Sequence, residues 1–445
     1  MQEFRVGFSR CDITPPIGAG LAGSIDQRLS IGVLDPLTAS ALAFGDGKEI
    51  YFLLSLDILC ISGDCSQQMR AAIEERTGVP AANILVHCTH THSAHSMRSY
   101  HIDFDKEQFA VDCEKIAAAA KEALSDMAPA KVYVNAANTP VKISFIRRFR
   151  MKDGTTRTNP GFLNPDIDHP LGEADHRVAL TLFKREGKPE IALVNFQTHA
   201  CVVPNGTDAY RISADYPHHL RQTYEAAMPG SVCMFINGAE GDTNHYNVKT
   251  PQGMPRTGYT FAAHMGRTIA GVAMALHAMA EPIEPLPLRA LRSPFGIAYN
   301  KESDPAALRR AEEVLRLHDE GRDGELSSLG GMDLITKVAA ARRMLNLRDK
   351  PDEITITLTA LRVGELALIG IPGEPFTEIG TSIKETSPAK MTFVACCADD
   401  YAGYFPMKSA YDEGGYEAGT ANYRAGTAEK VIEMGKATLA ELYTE

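Results

Sequence analysis

The chain has no tryptophan, and its 45 basic side chains fall short of its 56 acidic ones, leaving a formal net charge of −11. A shortage of positive charge excludes a general nucleic-acid binder, which needs a basic face to meet phosphates. No apolar run is long enough to span a bilayer, and the opening Met1-Gln2-Glu3-Phe4-Arg5-Val6 does not read as a secretory leader. The nine cysteines are scattered and show no Cys-x-x-Cys spacing. Cys60, Cys233 and the Cys396-Cys397 pair lie in apolar runs and read as small buried hydrophobes. Reduced thiols, a cytoplasmic setting and no stable membrane association are the expectation. Proline-rich spacers, Ser/Gly tracts, runs of one charge and internal repeats are missing too. Nothing divides the chain, so a single domain over 1–445 is expected.

What is present is an alternation of strand and helix patterns, the signature of an α/β layered domain. The run from Glu49 to Leu59 is continuously apolar, as in a strand buried on both faces. A helix follows over 64–77, then a short strand at Asn83-Ile84-Leu85-Val86, then a helix from 105 to 125. Further strands are expected at 131–136, 177–184, 190–196, 231–236, 354–361, 365–370 and 391–396. Further helices are expected at 215–227, 257–280, 304–318, 332–346, 375–385 and 427–442. The 354–370 pair, turning at Val363-Gly364, reads as an antiparallel hairpin, so a mixed β-sheet flanked by helices is predicted. The charge-rich helical stretch 301–352 reads as an insertion or lid.

Val86 to His95 holds four of the fourteen histidines in ten positions, and His101 follows shortly after. Imidazole is the commonest metal ligand and the usual proton carrier near neutral pH. If the strand continues, His90 and His92 project to one face and His87 to the other. Three more apolar strands run into chemistry-capable residues. One ends at His199, one in Glu240-Gly241-Asp242-Thr243-Asn244, and one in Pro372-Gly373-Glu374. Ligand crevices in layered α/β folds lie outside strand ends, so these loops are candidates to converge.

Together these segments resemble the catalytic domain of the neutral/alkaline (non-lysosomal) ceramidase family. The likeness begins at Val6-Gly7-Phe8-Ser9-Arg10-Cys11-Asp12-Ile13-Thr14-Pro15-Pro16 and is carried by Thr89-His90-Thr91-His92-Ser93. It continues through Asn195 to His199, Gly241-Asp242, Pro372-Gly373-Glu374, Tyr401 to Tyr404 and Tyr411 to Ala418. The resemblance implies one zinc held by His90, His199, Glu374 and Tyr404. It implies His92 beside the metal as donor or proton shuttle, and Arg148, of the adjacent Arg147-Arg148 pair, orienting a substrate carbonyl. Asp242 would anchor its loop or take a proton. Two departures stand out. Asn244 replaces a family serine, and Ser93-Ala94-His95 replaces Ser-Gly-Pro, followed by the polar Tyr100, His101, Asp103, Asp105 and Lys106. No counterpart of the family's C-terminal β-domain is expected within 1–445.

The expectation is therefore a zinc-dependent hydrolase cleaving an amide bond in a small, polar substrate, with Arg148 and Asn244 contacting substrate or oxyanion and His92 or Asp242 moving the proton. An ester, lactone or glycoside of a sugar-like molecule is the alternative bond. A non-catalytic zinc or ligand-binding homologue is the alternative class.

Overall fold

A strand that is apolar on both faces needs a packed layer above and another below, and this chain supplies both. The computed structural model describes residues 3–98, 104–327 and 330–444; Tyr100, His101 and Asp103 lie outside them. The larger sheet contains β1 (Arg5–Asp12), β2 (Thr38–Gly45), β3 (Ile50–Leu56), β4 (Ile84–Cys88), β5 (Ala128–Asn138), β6 (Arg177–Arg185), β7 (Glu190–Phe196), β8 (Ser231–Asn237) and β9 (Glu281–Ile283). Its order is β8-β7-β6-β5-β1-β2-β3-β4, with β9 also paired to β5. Only β7–β8 and β3–β4 run parallel. A second sheet comprises β10 (Leu288–Ala298), β11 (Glu353–Val363), β12 (Leu366–Gly370) and β13 (Met391–Ala395), and there only β12–β13 is parallel.

Alternation along the strands assigns each face to its layer. Phe52, Leu54 and Leu56 of β3 pack with Met69 of α1 (Gly63–Thr77) and Ile116 of α2 (Lys106–Ser125). Ala192, Val194 and Phe196 of β7 pack with Leu220 of α3 (Tyr216–Ala227) and Ile269 of α4 (Tyr259–His277). The intervening Tyr51, Leu53, Ile191 and Leu193 face the other way, into a cluster with Leu361, Leu366, Leu368 and Phe393 of the second sheet. Between β10 and β11 the chain makes a helical excursion, α5 (Pro305–Asp319) and α6 (Gly331–Leu347). The outer face of the second sheet, with Leu358, Ala360, Ile369 and Val394, is covered by Ile383 of α7 (Thr377–Glu385) and Leu439 of α8 (Thr427–Leu442). The result is four layers: helix, sheet, sheet, helix. Each large side chain buried between them contributes roughly 1.5–3 kcal/mol.

The hairpin β11–β12 forms as expected, but in the second sheet. Strands β1, β2 and β10 were not among the expected elements. β2 is rich in alanine, and β10 carries Pro294, which an edge strand tolerates and a central one does not. Among the described residues no helix is long and apolar enough to cross a membrane.

Candidate metal centre

The carboxyl ends of three parallel strand pairs meet. His90 follows β4, His199 follows β7, Glu240 follows β8, and Glu374 follows β12. Hydrogen bonds pin these ends together. The Asn237 backbone N–H donates to His87 Nε2 at 3.1 Å, and its side-chain amide donates to Thr89 O at 3.1 Å. Cys396 N–H donates to Asn237 O at 3.0 Å, joining the two sheets at this point. His87 points into the interior, where its Nδ1 pairs with Ser55 Oγ at 3.2 Å. The strand ends at Cys88, and His90 turns into the left-handed region at φ 64°. That turn, rather than continued strand alternation, brings His90 and His92 together.

Each histidine of the cluster has its tautomer set by a backbone carbonyl, which can only accept. His90 Nδ1 donates to Leu59 O at 2.9 Å, His92 Nδ1 to Gly23 O at 2.9 Å, and His199 Nδ1 to Glu240 O at 3.1 Å. In the neutral rings the Nε2 lone pairs are therefore free, and they face a common point. His90 Nε2 lies 3.3 Å from His92 Nε2 and 3.4 Å from Glu374 Oε2, and His199 Nε2 lies 3.2 Å from the same oxygen. His199 Nε2 and Glu374 Oε2 are buried without a hydrogen-bond partner. Imidazole nitrogens and a carboxylate oxygen gathered around one point are donors that zinc takes.

Burial opposes a charge on His199, yet the carboxylates of Glu240 and Glu374 push its pKa up to about 9. Burial also opposes ionisation of Glu374, but His90 and His199 hold it well below the ordinary carboxylate range. His92 is held well below its ordinary value by burial, then by His90 and His199. Positive charge is thus favoured at His199 and disfavoured at His92.

Gly373 makes the approach of the last ligand loop possible. A Cβ there would lie 2.4 Å from Gly403 O, and the backbone sits at φ 149°. The close contact puts Glu374 and Tyr404 side by side in a parallel bridge, on one face. Tyr401 donates its hydroxyl to Glu374 Oε1 and stacks on the His90 ring at 6.2 Å. Tyr404 stacks at 6.4 Å on His199 and receives a hydrogen bond from Arg147 Nη2 at 3.1 Å.

Comparison with solved structures finds neutral ceramidase from Pseudomonas aeruginosa at a TM-score of 0.75 and 18% identity, over 100% of this chain and 76% of that one. A ceramidase complexed with C2 aligns at a TM-score of 0.74 and 18% identity, over the same shares of the two chains. The fold is that of neutral ceramidase. No family model matches the chain, and no curated protein does.

On this ceramidase fold the other expected residues take separate positions. Arg147, not Arg148, touches Tyr404; it also binds Gly241 O at 2.9 Å and Glu417 at 2.6 Å. Burial opposes its charge, but Tyr404, Glu417 and Glu374 outweigh that. Arg148 pairs with Glu413 at 3.0 Å and, with Asp242, lines a cavity of about 870 Å³ that none of the four cluster residues borders. Asp242 accepts from the Thr377 N–H and hydroxyl, both at 2.8 Å, and so fastens the start of α7; burial pushes its pKa up to about 6. Asn244 donates to Asn159 at 2.7 Å and accepts from Tyr246 N–H at 2.9 Å.

Sequence reasoning passed over Arg147, Glu240, Tyr401 and His245. Glu240 is fully buried with an oxygen against His199 Nδ1. His245 is buried with both ring nitrogens unpartnered. Burial, then His199, lowers its pKa to about 3. Arg147 and Arg148 are adjacent and both buried, and only the direction of the side chain separates them.

Proposed function

We propose that the chain is a zinc-dependent hydrolase that cleaves an amide bond in a small, polar substrate, with His90, His199, Glu374 and Tyr404 as the metal ligands. The observation that carries this reading is the convergence of the His90 and His199 Nε2 atoms on Glu374 Oε2, at 3.4 and 3.2 Å. His90 and His199 belong to both histidine-containing groups of potential ligands; His92 joins one of them and Glu374 the other. When bound, zinc polarises a carbonyl and lowers the pKa of water. The remaining work belongs to the chain. His92, neutral and with its Nδ1 proton committed to Gly23 O, offers Nε2 as the acceptor for the proton of the attacking water. Arg147 orients the Tyr404 hydroxyl and takes the part expected of Arg148. Asp242 positions the loop through Thr377, and Asn244 steadies the segment that follows. The name of the ceramidase neighbours supports the amide as the bond cleaved.

The test combines metal analysis with a panel of small amides and matched esters. His90→Ala and His199→Ala should each lose about one metal equivalent per chain. His92→Ala should keep that metal and lose about 10²–10⁴ in turnover. A natural chain that binds no metal and hydrolyses no amide would refute the reading; preference for the esters would move it to the other bond.

A further inference from the structure

Glu240, Cys396 and Cys397 lie on the Nδ1 side of the imidazoles, and the hydrolase reading makes no use of the thiols. A carboxylate oxygen of Glu240 and the Sγ atoms of Cys396 and Cys397 all lie within 4.8 Å of one another. All three residues are fully buried, at 0% exposure. Cys397 Sγ is 3.5 Å from His90 Nδ1, and Glu240 rests on His199 Nδ1. We propose that these three side chains form a second metal site, for a thiophilic cation of the zinc class, directly behind the histidine centre.

The donor set fits that metal. Thiolates select soft or borderline cations over calcium and magnesium. A tetrahedral zinc, with sulfur at about 2.3 Å and oxygen at about 2.0–2.2 Å, holds its donors some 3.5–4 Å apart. That lies within the span seen here. Burial of small hydrophobic thiols accounts for two cysteines in a core, and His199 Nδ1 accounts for Oε2 of the carboxylate among them, but nothing among the described residues accounts for Oε1. Glu240 Oε1 has no hydrogen-bond partner although it is sealed from solvent, an arrangement that native proteins avoid unless an ion or water supplies the contact.

The local backbone brings the donors together. Adjacent residues of an extended strand point to opposite faces. Cys397 leaves that pattern at φ 46°, an uncommon conformation for a residue with a side chain. Its N–H donates to Gly373 O at 2.8 Å, and its carbonyl accepts from Cys88 N–H at 3.3 Å, so the turn is fastened from both sides. A cation held here would fix Glu240, and through it the orientation of the His199 ring.

The inference needs no substrate and stands apart from the hydrolase reading. The experiment uses the full chain, kept reduced and free of oxygen, stripped of metal and reloaded with cobalt(II). Two metal equivalents per chain and a thiolate-to-cobalt charge-transfer band are expected. Cys396→Ser and Cys397→Ser should each lose the band and one equivalent, whereas His90→Ala should lose an equivalent and keep the band. Because a serine variant can fail to fold, X-ray absorption of the unaltered zinc protein gives an independent answer. Sulfur in the average zinc shell supports the site. A shell of nitrogen and oxygen alone, with all nine cysteines still titrating as free thiols, would overturn it, as would a charge-transfer band that survives in both serine variants.

Discussion

His87 and His90 are three positions apart and serve different ends, because each nitrogen meets a different partner. His87 accepts from Asn237 N–H and pairs with Ser55, and burial lowers its pKa from 6.5 to about 3. The folded protein therefore refuses a proton that the unfolded chain takes up below 6.5. Its contribution to stability is present at neutral pH and is lost as pH falls from 6.5 toward 3, at about 1.4 kcal/mol per pH unit. Denaturation midpoints measured between about pH 7 and about pH 4.5 should fall more steeply in the natural chain than in His87→Gln. Equal slopes would remove His87 from this account. Arg147 makes a second prediction at this scale. Its guanidinium pairs with the fully buried Glu417 at 2.6 Å, and Arg147→Ala leaves that carboxylate with Arg148 Nε at 3.7 Å and the Thr158 hydroxyl at 2.8 Å. The cost in urea unfolding should be about 1.5–3 kcal/mol, that of a lost hydrogen bond to a charged group. A loss within experimental error of zero would mean that Arg148 and Thr158 compensate the carboxylate in full.

Among elements, the Gly373 turn and the loop at Gly403 are the most sensitive pairing. Alanine at 373 puts a methyl group 2.4 Å from Gly403 O, so the two segments must separate and carry Glu374 away from Tyr404. Gly373→Ala should lower both the melting temperature and the metal retained at the histidine centre; a variant unchanged in both would show that the loops have slack. Gly271 is the contrasting case. It lies within α4, is exposed, and an added Cβ meets nothing within 4 Å. Gly271→Ala should raise stability by about 0.5–1 kcal/mol, because glycine loses more backbone freedom in a helix than alanine does.

Across the whole molecule, the interface between the two sheets determines where the ligand loops stand. Leu368 lies in that interface at 2% exposure, packed with residues of both sheets. Leu368→Ala should cost about 2–5 kcal/mol, as other large-to-small core substitutions do. An effect on denaturation below about 1 kcal/mol would mean that the layers close over the cavity without strain.

Legibility in the sequence followed local physics. Helices such as α2 and α8 were readable because their apolar stripe repeats every turn within one segment. Strands β7, β8 and β12 were readable because burial on both faces leaves an apolar run that no surface element carries. The half-buried edge strand β10 and the alanine-rich β2 have no such signature, and their pairing comes from neighbours distant in sequence. The histidine cluster and the acids at strand ends were visible as chemistry. Which of Arg147 and Arg148 reaches Tyr404 was not, since adjacent residues carry the same charge and composition. Nor could the sequence place Glu240 behind His199, or the thiols of Cys396 and Cys397 beside it, because those contacts join loops that follow β7, β8 and β13. Residue chemistry and periodicity are properties of the chain itself, and the sequence determined them alone. The meeting of three strand ends at one cluster of histidines and acids depends on how two sheets stack, and only the tertiary structure decided that.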